Sequence, residues 1–166
     1  TPEYRRVVLP AREAAREAQE KDKGNEGIYC GAAIELAPGR IVTGNNSPLM
    51  HAASSLVLHA VKRLAEIPPK IKLLPATITD SVRNMKTEIL NETSVSLDLE
   101  ETLIALSISA TTNPAAQLAV EKLKELRGCE VHMTHIPTPG DEAGLRRLGV
   151  NLTTDPNFST SNLYMD

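Results

Sequence analysis

The sequence predicts an α/β domain: a layered mixed sheet that begins with an antiparallel hairpin and carries helices on both faces. Three observations lead there. Short apolar runs with strand character alternate with segments whose apolar residues recur at three- and four-residue steps. Ala37, Pro38 and Gly39 form a tight turn between two of the strand runs. The later connections are long enough to hold crossover helices, which favours mostly parallel pairing beyond the hairpin.

Residues 1–10 read as an extended arm, with Tyr4, Val7, Val8 and Leu9 ending at Pro10. From Ala11 to Lys23 alanines alternate with Arg, Glu, Gln and Lys, a strong helix former with so little apolar surface that a shallow, mostly solvated helix is expected. Lys23 to Gly27 reads as a flexible hinge. It divides an N-terminal arm and helix, residues 1–27, from a single α/β domain over 28–166.

Ile28 to Leu36 is a strand whose small residues Cys30, Gly31, Ala32 and Ala33 imply close approach by another backbone. Arg40 to Thr43 returns beside it. Gly44, Asn45 and Asn46 then lead into a long amphipathic helix, with Ser47 as the expected N-cap and Pro48 at its first position. Leu49, Ala52, Ala53, Leu56, Val57, Ala60, Val61 and Leu64 make its expected buried stripe, and Pro68 with Pro69 ends it. Ile71 to Leu74 is expected as a buried parallel strand, and Thr77 to Leu90 as a helix. A core helix, apolar nearly all round, begins at Leu97 to Glu101. Asn113 caps, and Pro114 opens, the helix that follows to Leu126. Cys129 to Ile136 is a strand, Pro139 to Leu148 a short helix and Val150 to Thr153 a last strand before a polar tail.

Composition narrows the function. The chain has 166 residues, enough for one core, and its 2% aromatic content forces that core to be aliphatic. Base-stacking platforms for nucleic acid need aromatic faces, and the net charge of -3 with no basic block argues against a nucleic-acid or anionic-membrane partner. No apolar run approaches the roughly 18 to 20 residues that span a bilayer, so a cytoplasmic protein is expected. Cys30 and Cys129 both lie in apolar strand-like runs and are expected as buried free thiols. The start at Thr1 hints at a piece of a longer protein.

Complete catalytic constellations are missing. Cys129, His132 and His135 are metal-ligand types, but on a strand Cys129 and His135 would be roughly 20 Å apart with His132 on the opposite face. No metal is expected. The hairpin, helix, strand, helix order resembles the cytidine-deaminase architecture, which carries a His-Ala-Glu motif at the start of its first core helix. Here His51, Ala52 and Ala53 stand at that place, so the proton-shuttling Glu is absent, and Pro75 leads into Ala76, Thr77 and Ile78 instead of the family's Pro-Cys-x-x-Cys. The likeness is one of topology without the metal site. Neither a nucleophile elbow nor a phosphate loop occurs.

Helix starts near Ser47, Thr77 and Asn113 present free amides that attract anions. Gly44, Asn45, Asn46, Ser47, Thr112 and Asn113 are therefore the candidate ligand-binding residues, ordinary capping being the plainer account of them. No catalytic residue is assigned.

From Gly31 onward the sequence resembles the C-terminal part of the uncharacterised bacterial family known as domain of unknown function 1846. The match is carried by Ala32 to Glu35, Gly39 to Gly44, Ala53 to Ser55, Lys86 to Glu88, Leu103 to Ser107, Asn113 with Pro114, Leu126 to Glu130 and Leu148 to Thr153. His51 departs from the family pattern, where a Gly commonly stands, so it is not expected to be catalytic, and a ligand at this helix start would be held by Gly44 to Ser47. The resemblance implies that the chain is the C-terminal domain of a considerably longer protein, whose N-terminal part carries a Gly-rich segment suggestive of nucleotide binding. It implies no reaction. The expectation is an accessory or assembly domain of a nucleotide-binding bacterial protein, with no cofactor of its own. Its partners would be the N-terminal part of its own chain and a second copy. The alternative is half of a site for a phosphate-bearing small molecule at converging helix starts.

Overall fold

The computed structural model describes residues 5–158, so the outermost part of the expected arm and the end of the polar tail lie outside the described residues. At its centre is a four-stranded mixed sheet. β1 (Gly31–Leu36) and β2 (Arg40–Asn45) form the expected hairpin, with Gly31 opposite Asn45 and Leu36 opposite Arg40. β3 (Glu130–Met133) pairs antiparallel with the other edge of β1, and β4 (Asn151–Thr154) runs parallel to β3. The order is β2-β1-β3-β4. Mostly parallel pairing beyond the hairpin is thus corrected: β1 is central and opposes both neighbours, which leaves β3 with β4 as the parallel pair among the described residues.

Helix α1 (Val8–Glu20) covers one face and α2 (Ala52–Leu64) the other. Alternation along β1 sets this division: Ala33 packs with Val7, Ala11 and Ile41 under α1, while Ala32, Ile34 and Leu36 enter the main core with Leu56, Val57 and Val131. Helices on both faces are therefore present. The expected extended arm is corrected, since helix already begins at Val8; Pro10 sits in its first turn, where a missing amide breaks no helical hydrogen bond. Nor is α1 shallow. Val8, Ala11, Ala14 and Ala18 are buried, because a Cβ placed on Gly31 would lie 2.1 Å from the Ala11 carbonyl oxygen. The close approach expected of the small-residue strand is that contact.

A polar network fastens α1 to the far strands. Arg12 grips the Asp155 carboxylate through Nε (3.0 Å) and Nη2 (2.9 Å), and Arg5 donates to the carbonyls of Val131 and Asn151, to Glu130 and to the Thr153 hydroxyl. Buried His132 stands between, donating from Nε2 to Asp155 (3.1 Å) and accepting at Nδ1 from Thr153 (2.7 Å). Burial holds His132 below the ordinary imidazole range, and the Arg12 guanidinium holds Asp155 below the ordinary carboxylate range. His132 is therefore a neutral structural link.

The remaining elements are α3 (Ala76–Asn84), continued by a π-helical turn (Met85–Ile89), α4 (Leu99–Ser109), α5 (Pro114–Lys122), continued by a 3-10 turn (Leu123–Leu126), and α6 (Pro139–Leu148). Three starts carry side-chain caps: Asp98 with Glu101 forms a capping box on α4, Asn113 caps α5 ahead of Pro114, and Thr138 caps α6 ahead of Pro139. Ile71 to Leu74 is not a strand. It crosses irregularly from α2 to α3 and buries Leu73 alone of its four residues, with the Leu73 carbonyl taken by Ser109 Oγ (2.6 Å). α4 is also less enclosed than expected, with Ile104 and Ile108 on an open outer face.

A Gly31→Ala substitution should lower unfolding stability by about 1–3 kcal/mol, as overpacking does, because the new methyl must displace the α1 backbone. The midpoint of urea unfolding measures it; an unchanged midpoint would show that α1 is free to ride up.

Candidate functional site

The expected helix start at Ser47 and Pro48 is displaced to Ala52, with His51 at the N-cap position. Local sequence favours the earlier start, but a distant strand-like contact overrides it. The Leu49 carbonyl accepts from Leu97 N (3.0 Å), and His51 N donates to the Leu97 carbonyl (2.9 Å), so residues 49–51 are held extended beside Leu97. Ser47 and Met50 exchange backbone hydrogen bonds across a tight turn, and Ser47 Oγ accepts from the amides of Leu49 and Met50 (3.2 Å each). Ser47 caps this turn instead of a helix, and Pro48 occupies a turn position.

His51 is thereby placed on the wall of a cleft of about 270 Å³ at the sheet end beyond Cys30. Asn25, Asn46, Thr93, Ser96, Thr138 and Asp141 also line it. His51 Nδ1 donates to Asp141 Oδ2 (2.8 Å), and the other carboxylate oxygen accepts from Leu99 N (2.9 Å). The Asp141 side chain is 4% exposed and that of His51 is 26% exposed. One buried carboxylate therefore sits where the starts of α2, α4 and α6 meet, and the positive ends of three helices favour its negative charge. Helix starts do converge, but around Asp141 and not around the residues near Thr77 and Asn113.

Burial opposes a charge on His51, yet the hydrogen bond and charge of Asp141, with Asp98 behind it, outweigh that and raise its pKa. Nε2 has no hydrogen-bond partner among the described residues, so a molecule in the cleft meets an imidazole edge whose tautomer and tilt are set from behind. That is the arrangement of an oriented base or acid. Cys30 shares the cleft, but burial and then the Asp141 charge push its thiol up to about 12, which makes it an apolar wall and not a nucleophile.

The opposite wall, residues 92–96, is anchored by buried Lys86 from the π-helical turn. Its ammonium donates to the Ser96 carbonyl (2.7 Å) and to Glu101 Oε1 (2.9 Å), with Glu92 3.6 Å away. A fully partnered buried cation thus anchors the loop whose Thr93, Ser94 and Ser96 line the cleft with His51.

The residues singled out in sequence scatter. Asn46 reaches the cleft, where its Oδ1 accepts from Cys30 N (2.9 Å) and its Nδ2 donates to the Ile28 carbonyl (3.0 Å). Asn45 and Ser47 line a broader depression on the other side of the same segment. Gly44 lies against α2, a Cβ there meeting Leu56 N at 2.6 Å. Asn113 caps α5 and Thr112 turns into it; neither lines the cleft or the depression. Cys30 and Cys129 are free thiols, Cys30 buried as expected and Cys129, ahead of β3, only partly so. His132 and His135 bond Thr153 and Thr134, and no three His, Cys, Asp or Glu among the described residues are grouped to hold a metal ion. His51 and Asp141 are what sequence reasoning passed over; the one signal was an acidic third residue in a helix opened by Thr138 and Pro139.

A family described as "Domain of unknown function DUF1846, C-terminal" matches residues 3–164. Similar proteins include a UPF0371 protein of Clostridium botulinum strain Eklund 17B, 44% identical over 160 residues, which are 96% of this chain and 32% of that protein. UPF0371 proteins of Clostridium tetani (42% identical over 160 residues, 96% of this chain) and Clostridioides difficile strain 630 (43% over 163, 98% of this chain) align over the same 32% share of their lengths. The chain spans about a third of the curated relatives it matches.

His51 should titrate above 6.5 in the native state. Its stabilising contribution is then complete below that unfolded value and fades as pH rises through the native one. Asp141→Asn keeps an acceptor for Leu99 N but removes the charge, so the His51 ring resonances should titrate at lower pH in a proton NMR series. An unchanged titration would show that Asp141 does not set the protonation of His51.

Proposed function

The chain belongs to the DUF1846 C-terminal family, and from that premise we propose that it supplies the ligand-binding and proton-handling wall of a site in a longer protein. The single observation that carries this reading is the His51–Asp141 pair on the cleft. A buried carboxylate fixes the ring from one nitrogen and leaves the other toward a space of small-molecule scale lined with hydroxyls and amides. Such a pair takes a proton from, or gives one to, a compact polar molecule seated against Asn46 and Ser96. The rest of the longer protein completes the enclosure, and nucleotide binding belongs in this reading to that remainder.

The sheet order, with β1 reversed against both neighbours and the hairpin leading directly into α2, supports a deaminase-like reading of that part of the topology alone, since no strand forms between α2 and α3. The proton chemistry here would be that of a metal-free relative, since Ala53 follows where a Glu would act.

Assembly is a second reading, favoured by one observation. Ile89 in the π-helical turn and Ile104 on α4 are 67% and 60% exposed, together with Met85, Leu90 and Ile108. Apolar side chains of that size and exposure are the usual material of a covered surface.

In thermal-shift screening of the full-length protein against compact polar metabolites, a ligand of the cleft should bind the His51→Gln variant at least about tenfold more weakly, as loss of a hydrogen bond to a charged group requires. Equal stabilisation of both proteins by every ligand found would remove His51 from the site. For assembly, sedimentation should show self-association or binding to the remainder of the protein, weakened by Ile89→Lys with Ile104→Lys. A strictly monomeric, non-interacting chain would count against it.

A further inference from the structure

The depression on the other side of the Ser47–Met50 turn differs chemically from the cleft. It has a volume of about 810 Å³ and lies between α2 and α3. Four basic side chains line it, Lys23, Lys62, Lys72 and Arg83, against one carboxylate, Asp80, a formal local balance of +3 in a chain whose net charge is -3. Those charges are only partly answered. Lys62 Nζ donates to the Pro69 carbonyl (2.8 Å), and Arg83 donates from Nη2 to the Leu49 carbonyl (3.1 Å), with Asp80 3.5 Å from Nη1. Arg83 Nε is buried without an acceptor, and Lys23 and Lys72 have no carboxylate partner among the described residues. Like charges gathered in a concavity repel one another and focus a positive potential into it, so the arrangement is relieved by an anion.

Polarity alone would fit any counter-ion, but the walls say more. Leu49, Leu58, Leu73 and Leu74 line the same depression, and Asn45 and Ser47 add neutral polar groups at its edge. We propose that this depression binds a phosphate-bearing small molecule, its phosphate among the lysines and Arg83 and its organic part on the leucine wall. Lysine supplies point charges and arginine a planar donor fork, the two side chains that phosphate recognition uses. The site is separate from the cleft, since no residue lines both.

Calorimetric titration of the full-length protein with phenyl phosphate and with inorganic phosphate tests this. Phenyl phosphate should bind more tightly than inorganic phosphate, and its affinity should fall with added salt. Lys23→Gln with Lys72→Gln, two exposed positions whose replacement leaves the core intact, should weaken it at least about tenfold. Mass-spectrometric acetylation should show Lys62 and Lys72 protected by the ligand in the unmodified protein. His51→Gln should leave all of this unchanged, so failure of the cleft reading would not imitate failure here. Unchanged affinity in the double lysine variant, unprotected lysines, or an equal loss in His51→Gln would overturn the proposal. Co-sedimentation with phosphatidic acid vesicles, reversed by the same lysine changes and without phenyl phosphate binding, would assign the phosphate to a lipid headgroup and overturn the small-molecule assignment.

Discussion

Around the Asp141 carboxylate the helical layer is organised. It accepts the first amide of α4, takes the ring of the residue that caps α2, and stands in the first turn of α6, whose own cap is Thr138. A buried carboxylate is unfavourable unless its oxygens are answered, and here the His51 ring answers one and the first amide of α4 the other, while its place in the first turn of α6 suits its charge. Without that charge the three positive helix ends would face one another across the main core. Close backbone approach makes the meeting possible: a Cβ on Gly140 would fall 2.1 Å from Asp98 Oδ2, and one on Gly144 would strike Leu99. The same carboxylate that joins the helices also orients His51, so architecture and chemistry share one group.

An almost aromatic-free core has a related signature. With no large rings to fill space, layers come together through small residues: α1 against Gly31, α2 against Gly44, α6 against Asp98 and Leu99. Shape is then set by backbone contact, and side chains such as Leu56, Leu99 and Leu126 fill what remains.

Much of this was legible in the residues. The hairpin over residues 31–45, the buried stripe of α2, the Asn113–Pro114 start and the short helix at Pro139 follow from turn chemistry, periodicity and capping, which are local and written in consecutive positions. Ser47 followed by Pro48 misled for the same reason: it has the chemistry of a helix cap, and only Leu97, some fifty residues away in sequence, converts the stretch into an extended edge. Ile71 to Leu74 carries strand composition, yet β1 already has a neighbour on each side, and that segment goes to bridge α2 and α3. The candidate pair was hidden more completely. His51 and Asp141 are ninety positions apart; in sequence His51 is set aside because no Glu follows it and Asp141 draws no notice, and their meaning comes from a contact that no periodicity encodes.

The segment from Asn45 to Ala52 is a partition with a concavity on either side. Asn46, His51 and Ala52 face one, while Asn45 and the turn from Ser47 to Met50 face the other. Leu97 holds both Leu49 and His51 through its backbone, which fixes the segment as an extended edge between the two spaces. The imidazole edge on one side and the cations on the other are therefore kept apart by main chain alone, with no side chain shared between the two linings. One short stretch of eight residues, 45–52, thus lets a small domain carry two chemically unlike surfaces back to back.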